Sequence, residues 1–311
     1  MTGPGAVRVG VDVHDWVLRS GPAERRDLLD HVADAGLDHV GVGDHVSFQG
    51  GGGFDGMVSA AAALAATDRL DVWIAIYQAA LRHPLTVARQ LSSLAEMGPG
   101  RLVLGVGVGG EDRREVSNCG VDPRTRGRRL DECLEVLAAL GPGEPVDHEG
   151  EFFRLEQAAV VPAPQPPAPI VVGGTSEAAI ERAARYGDGW LGIFCSPRRF
   201  GVTARSLAER AASHGREVGW LGMQLWCGLD DDPARAREMV ADRMTGLYGL
   251  PYDKLEHLAP AGTPEQVADF LMPYVEAGAR HITVLGVARD PRAGIDHAAE
   301  VRRHLIEAGA A

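Results

Sequence analysis

Apolar and β-branched residues occur in short runs that alternate with longer stretches of helical periodicity along the whole chain. The runs lie at 7–13, 38–43, 71–77, 102–108, 170–172, 189–194, 222–227 and 281–285. Most are too uniformly apolar to leave one face in water, the pattern of strands buried on both faces of a parallel sheet. In the first run Val9, Val11 and Val13 share one face, and Gly10, Asp12 and His14 share the other. The valines suit the side covered by helices, so Asp12 and His14 are expected to point inward. Between the runs, helices are predicted at 22–35, 84–97, 124–140, 177–186, 198–213, 233–245, 264–277 and 292–308. Pro22 and Pro84 open two of them, and Gly36 and the Gly98-Pro99-Gly100 triplet stop them. Eight strand–helix repeats, evenly spread with no second zone of composition, predict one α/β domain over residues 1–311, a (β/α)8 TIM barrel. A doubly wound sheet is the alternative.

Four segments are longer than ordinary connections. Residues 46–56 follow strand two, 109–121 follow strand four, 141–169 precede strand five, and 246–262 precede the penultimate helix. The first two leave strand C-termini, the end at which a barrel builds its active site. The third ends in Pro162, Pro164, Pro166, Pro167 and Pro169, and reads as a stiff extended connector.

Charge and composition narrow the chemistry. The net charge of −12 argues against holding nucleic acid or an anionic membrane surface through the overall field. No apolar run reaches the ~18 residues of a membrane span, and the first residues show no basic-then-apolar leader. Cys119, Cys133, Cys195 and Cys227 form no CxxC pair, so neither a disulfide framework nor a zinc knuckle is expected, and the cytoplasm is the expected compartment. The single lysine, Lys254, lies in a polar stretch, which argues against Schiff-base chemistry.

Candidate chemistry collects at predicted strand ends. Gly43-Asp44-His45 ends strand two, where a histidine can exchange protons near neutral pH beside an orienting acid. Asp12-x-His14 resembles a metal pair, yet no HxH or HExxH accompanies it, so it reads as a pocket wall and no metal is expected. Gly105, Gly107 and Gly109 alternate on strand four. They allow either a flat ring to approach the backbone or tight barrel packing. Gly173-Gly174-Thr175-Ser176 ends strand five and opens a helix, an arrangement suited to an anion or to an ordinary helix cap. Trp16, Phe48, Phe54 and Trp190 fall near strand ends and could line a cleft.

Several stretches taken together resemble the bacterial luciferase-like superfamily of flavin- and F420-dependent oxidoreductases. They are Gly43-Asp44-His45, Leu81-Arg82-His83-Pro84, the 100–107 strand, the Arg126–Glu132 segment, Pro169–Gly174, Gly187-Asp188-Gly189-Trp190 and Gly262–Val267. The resemblance implies a TIM barrel with a tricyclic cofactor across the strand C-termini, and a homodimer. It places Asp44 and His45 beside the cofactor and the reacting carbon. It puts a non-proline cis peptide within Ile74-Ala75-Ile76 and the phosphate contacts on Gly173, Gly174, Thr175 and Ser176. From their places at strand ends, and not from the resemblance, Gly107 and Gly109 are expected to face the ring, and His14, Phe48 and Trp190 the substrate. Glu111, one residue later than the family's acid, is the candidate second acid. Met57, Ala60, Ala61, Leu64, Val87, Leu91 and Leu94 are expected to divide between packing on the barrel and a dimer face.

Three functions follow. The first is hydride transfer between F420 and a small organic substrate, with His45 moving the accompanying proton. The second is a two-component monooxygenase using reduced FMN from a separate reductase, with 46–56 as a lid. The third is a barrel that binds flavin or ligand without turnover. The Asp44-His45 pair and the arginine-rich, lysine-poor composition favour F420.

Overall fold

The structure, a computed structural model, describes residues 6–109 and 112–310. Eight parallel strands form its centre: β1 (Arg8–Asp12), β2 (His39–Val42), β3 (Asp71–Tyr77), β4 (Leu102–Val106), β5 (Ile170–Gly173), β6 (Gly189–Gly192), β7 (Trp220–Leu229) and β8 (His281–Val287). They pair in chain order and β8 closes on β1, so the barrel predicted from periodicity is the observed fold.

Helices α1 (Pro22–Asp34), α2 (Gly56–Leu64), α3 (Pro84–Met97), α4 (Arg113–Asn118), α5 (Arg126–Leu140), α6 (Glu177–Tyr186), α7 (Pro197–Ser213), α8 (Pro233–Tyr248), α9 (Pro264–Glu276) and α10 (Pro291–Glu307) surround it. Proline opens α1, α3, α7, α8, α9 and α10, where its missing N–H costs nothing. None of the helices among the described residues is long and apolar enough to cross a membrane. Lys254 sits exposed in a short turn.

Two stretches expected to be irregular carry structure. The 109–121 segment contains α4, a helix too short and too polar to show apolar periodicity. The 141–169 segment contains an antiparallel hairpin, Val146–Glu149 with Arg154–Ala158, whose strands bury little. The proline-rich stretch does act as a connector. It runs along α3, where Arg89 donates to the Val161 carbonyl (2.9 Å) and Ser92 to that of Pro162 (2.7 Å). Of the residues expected to divide between the barrel and a dimer face, most go to the barrel. Met57, Ala60, Leu64, Val87, Leu91 and Leu94 are buried against their own barrel, because α2 and α3 use those faces to cover the sheet. Val58 and Met97 are the exposed apolar residues of these two helices.

The lower end of the barrel is closed by rings. His39 stacks on Trp73 at 3.3 Å, Trp220 stacks on His281 at 4.2 Å, and the two tryptophans meet edge to face at 5.0 Å. Gly10 leaves the necessary space, since a Cβ there would lie 2.2 Å from the His39 carbonyl oxygen. With the floor plugged, ligands can enter the barrel only from its C-terminal mouth.

Burial holds His39 well below its ordinary value and brings His281 down to about 4, with Arg8 adding to both. An unfolded histidine titrates near ~6.5. These rings therefore contribute stability that is complete above about pH 6.5 and is lost as pH falls toward 4. The wild type should lose about 2 kcal/mol more stability than His281→Gln between pH 7 and pH 5, measured by urea denaturation. Equal losses would show that this ring is not held neutral.

Candidate active site

The mouth is organised by a buried carboxylate. Asp44 follows β2 and is 2% exposed. Its Oδ1 accepts from the Gly56 amide (2.9 Å) and Arg82 Nη2 (2.8 Å), and its Oδ2 from the Gln78 amide (2.9 Å) and Arg82 Nη1 (2.6 Å). Arg82 also reaches Asp55, the N-cap of α2, at 3.0 Å and lies over the Tyr77 ring at 4.4 Å. Burial pushes the Asp44 carboxyl up, and Arg82 with the two amides opposes that. A carboxylate with both oxygens engaged in this way is a fastener, not a proton carrier. It ties the end of β2 to the end of β3 and the start of α2.

Asp44 does not orient His45. That role falls to Glu115 on α4, which is 2% exposed. Glu115 Oε1 accepts from the amides of Val46 (2.6 Å) and Ser47 (3.0 Å), and Oε2 lies 3.2 Å from His45 Nδ1 and accepts from Gln78 Nε2 at 3.1 Å. Gln78 Nε2 also donates to the Asp44 carbonyl at 3.0 Å. The same Nε2 also lies 3.3 Å from His45 Nδ1. A carboxylate only accepts, so the contact with Glu115 Oε2 places the ring proton on Nδ1 and leaves Nε2 without one. Burial alone would raise the Glu115 carboxyl, but the Ser47 and Val46 amides, Gln78 and His45 together hold it below its ordinary value. Phe48 packs on the His45 ring at 4.3 Å.

The second group of site residues surrounds a bulge in β3. A cis peptide joins Ala75 to Ile76, inside the expected stretch, and the β3–β4 register shifts between Ile74 and Tyr77. The neighbouring glycines are explained by Ile76. A Cβ at Gly107 would meet Ile76 Cγ2 at 2.7 Å and one at Gly173 its Cδ1 at 2.8 Å, while one at Gly105 would meet first the Ile74 carbonyl oxygen at 2.6 Å and then Ile76 Cδ1 at 3.0 Å. A Cβ at Gly109 would meet Gln78 Oε1 at 2.6 Å. Tight packing is thus the reason for these glycines. The space offered to a flat ring by the sequence argument is filled by Ile76.

After β5, Gly174 takes φ +109° and Ser176 caps α6 by accepting from the Ala179 amide. Arg199 on α7 donates to the Thr175 carbonyl at 3.0 Å, bringing a cation to the turn that the sequence reading missed. Trp190 is not a substrate contact. It is fully buried, packs on Phe200 at 5.0 Å, and spends its Nε1 on the Gly174 carbonyl at 2.7 Å. It supports the turn from beneath. His14 ends β1 beside Gly43 with a buried Nδ1 that has no partner, and burial lowers its pKa. Glu111 lies outside the described residues.

A family model described as luciferase-like monooxygenase matches residues 7–249. The chain belongs to this family. Among curated luciferase-like relatives, an F420-dependent glucose-6-phosphate dehydrogenase from Beutenbergia cavernae is 29% identical, covering 91% of this chain and 92% of that one. An F420-dependent hydroxymycolic acid dehydrogenase from Mycobacterium tuberculosis is 34% identical over 52% of this chain and 46% of its own. Among solved structures, an F420-dependent secondary alcohol dehydrogenase in complex with an F420-acetone adduct superposes with a TM-score of 0.85 at 22% identity, covering 96% of this chain and 99% of that one. A monooxygenase from Streptomyces bottropensis reaches 0.79 at 21% identity, covering 97% and 99%. At these identities the two structures establish the shared barrel fold.

Asp44→Ala should destabilise the protein by about 3 kcal/mol, because Arg82 would keep a half-buried charge with only Asp55 opposite. Glu115→Gln retains its size and should cost about 1 kcal/mol. Urea denaturation of both variants checks the order, and a larger loss in Glu115→Gln would contradict it.

Proposed function

We propose that the protein is an F420-dependent oxidoreductase, transferring a hydride between the deazaflavin and a small organic substrate at the barrel mouth. The observation that carries this reading is the His45 ring at the end of β2, held by Glu115 and Phe48 with its side chain about one-third exposed. A group moving a proton in step with hydride transfer needs this pose. When a hydride leaves an alcohol carbon, the hydroxyl proton must pass to a base, and Nε2 is the free base of this tautomer. Glu115 then lies against the imidazolium that forms. Intact proton-transfer machinery also disfavours a barrel that only binds.

The residues at the mouth fit the cofactor. Ile76 offers an apolar surface for one face of a flat ring. The Gly174–Ser176 turn, the N-terminus of α6 and Arg199 together suit a phosphate. When bound, F420 supplies two-electron hydride chemistry. The near full-length F420-dependent relative supports this cofactor. Reduced FMN with oxygen is the alternative, since a monooxygenase shares the barrel.

Titration of the purified protein with F420 and with FMN tests the assignment. F420 should bind about tenfold more tightly or better, and tighter FMN binding would reverse the choice. His45→Ala should lower F420-linked turnover by about 10²–10⁴-fold while leaving F420 affinity within about threefold. Wild-type turnover in folded His45→Ala would move the proton role to His14. Arg199→Glu should weaken F420 binding by about tenfold through charge reversal. It is a cleaner probe than Gly174→Asp, because any side chain at Gly174 is strained by its positive φ. Unchanged affinity in Arg199→Glu would remove the phosphate from this turn.

A further inference from the structure

His45 has a second histidine beside it. Alternation along β1 puts Gly10, Asp12 and His14 on the inner face of the barrel. β1 pairs with β2 in the register Gly10 to His39 and Asp12 to Gly41. The Val13 amide then donates to the Gly41 carbonyl at 2.8 Å, which brings His14 level with Gly43. Gly43 has no side chain to hold the ring away. A Cβ there would lie 3.2 Å from His14 Nδ1, 3.4 Å from Cε1 and 3.5 Å from Cγ, so the ring lies with its face against this glycine. His45 follows two residues later. Phe54 ties the two histidines together. Its ring meets that of His14 edge to face at 5.8 Å, and its carbonyl accepts from the His45 amide at 2.9 Å.

The His14 ring is half-buried, and unevenly. Nδ1 is enclosed without a partner, whereas Nε2, also unpartnered among the described residues, is not enclosed. A proton on Nδ1 would make an enclosed N–H with no acceptor in reach, which folded proteins seldom contain. A proton on Nε2 leaves the donor where it can find a partner. Burial, with His45 and Arg243 adding to it, lowers the His14 pKa against the pull of Asp15 and Asp44. The neutral ring therefore prevails at pH 7 and above. Asp12 serves the backbone here: its Oδ1 accepts from the His14 amide at 3.2 Å.

We propose that His14 is a second catalytic residue, an Nε2–H donor to the same substrate oxygen whose proton passes to His45 Nε2, and that the substrate is an alcohol–carbonyl pair. The proposal rests on the oxidoreductase reading above and adds the reacting group to it. The two rings are neutral imidazoles of opposite tautomer, one offering a lone pair and the other an N–H. A hydroxyl group, with one proton and two lone pairs, satisfies both through a single atom. In the oxidation the C–H bond breaks and its hydrogen leaves with the electron pair to F420. The O–H bond breaks, its proton goes to His45 Nε2, and its electron pair closes the C=O bond. The imidazolium later gives that proton to water. Negative charge gathering on the oxygen during the step meets the His14 N–H, a donor already in place. In the reverse direction the same N–H holds the carbonyl oxygen before reduction.

The test is long-range nitrogen–proton NMR of the full chain at pH 8, with His14→Gln and His45→Asn assigning the signals. The probes are cyclohexanol with reduced F420 and cyclohexanone with oxidised F420, two pairings that cannot react, and each probe alone. His14 should show the Nε2–H form, and an Nδ1–H form would overturn the proposal. Cyclohexanol should move the Nε2 signals of both histidines, and cyclohexanone chiefly that of His14, because a ketone has no proton to give His45. A His14 signal unmoved by either probe would overturn it. His14→Phe keeps the ring and loses the donor, and should weaken cyclohexanone binding by about fivefold. His14→Gln keeps an N–H donor and should stay within about twofold. Unchanged binding in His14→Phe, or equal loss in the two variants, would overturn the donor role. F420 affinity measured on the same samples separates the two claims. If F420 fails to bind while the probes alone still move His14, the cofactor assignment fails and the donor stands. If F420 binds and the probes leave His14 unmoved, the donor alone fails.

Discussion

The mouth of this barrel depends on the Asp44–Arg82 pair. Two hydrogen bonds run between guanidinium and carboxylate, and the amides of Gly56 and Gln78 complete the shell of the anion. Burying a carboxylate is costly unless its oxygens are satisfied, and here they are. The pair fixes three chain segments at one point. The end of β2 then presents His45, the end of β3 presents Gln78 and Ile76, and α2 begins where Gly56 can approach. At Gly56 a Cβ would lie 2.7 Å from Ile74 Cγ2, so the contact requires glycine.

From that anchor the site separates rigidity from chemistry. Asp44 is consumed by structure, while the next residue along the chain carries the exposed imidazole. Glu115 reaches in from the other side, and its four partners include two amides of the loop that follows His45. The same carboxylate therefore sets the histidine tautomer and pins the segment beside it. That segment is tied further by Gln49, whose amide donates to Asp112 at 2.8 Å and whose side chain donates to the Leu247 carbonyl at 2.8 Å. The loop after β2 thus bridges the loop after β4 and the end of α8, across the top of the mouth.

Much of this was legible in the sequence because burial on both sides imposes a strong pattern. The uniformly apolar runs, the proline starts and the glycine stops revealed the barrel, and the barrel told which loops matter. The Asp44-His45 dipeptide stood out at a strand end. What could not be read was partnership. Glu115 lies 70 residues from His45, on a six-residue helix with too few apolar positions to show a period. Adjacency suggested Asp44 as the partner of His45, but neighbours on an extended chain point apart. Arg82 belonged to a stretch carrying the family resemblance, yet nothing local revealed that it points at Asp44. The strand glycines were ambiguous for a similar reason: only the position of Ile76 shows which side chain needs the space.

The most direct measurement is the tautomer of His45, read from long-range nitrogen–proton NMR of the histidine side chains at pH 8, with His45→Asn assigning the signal. Glu115, a carboxylate that only accepts, requires a proton on Nδ1 and a bare Nε2. A spectrum showing the Nδ1–H form in the wild type, with the other tautomer appearing in Glu115→Gln, is the expected result. An Nε2–H form in the wild type, or a tautomer ratio unchanged by Glu115→Gln, would contradict the arrangement on which the proposed proton transfer stands.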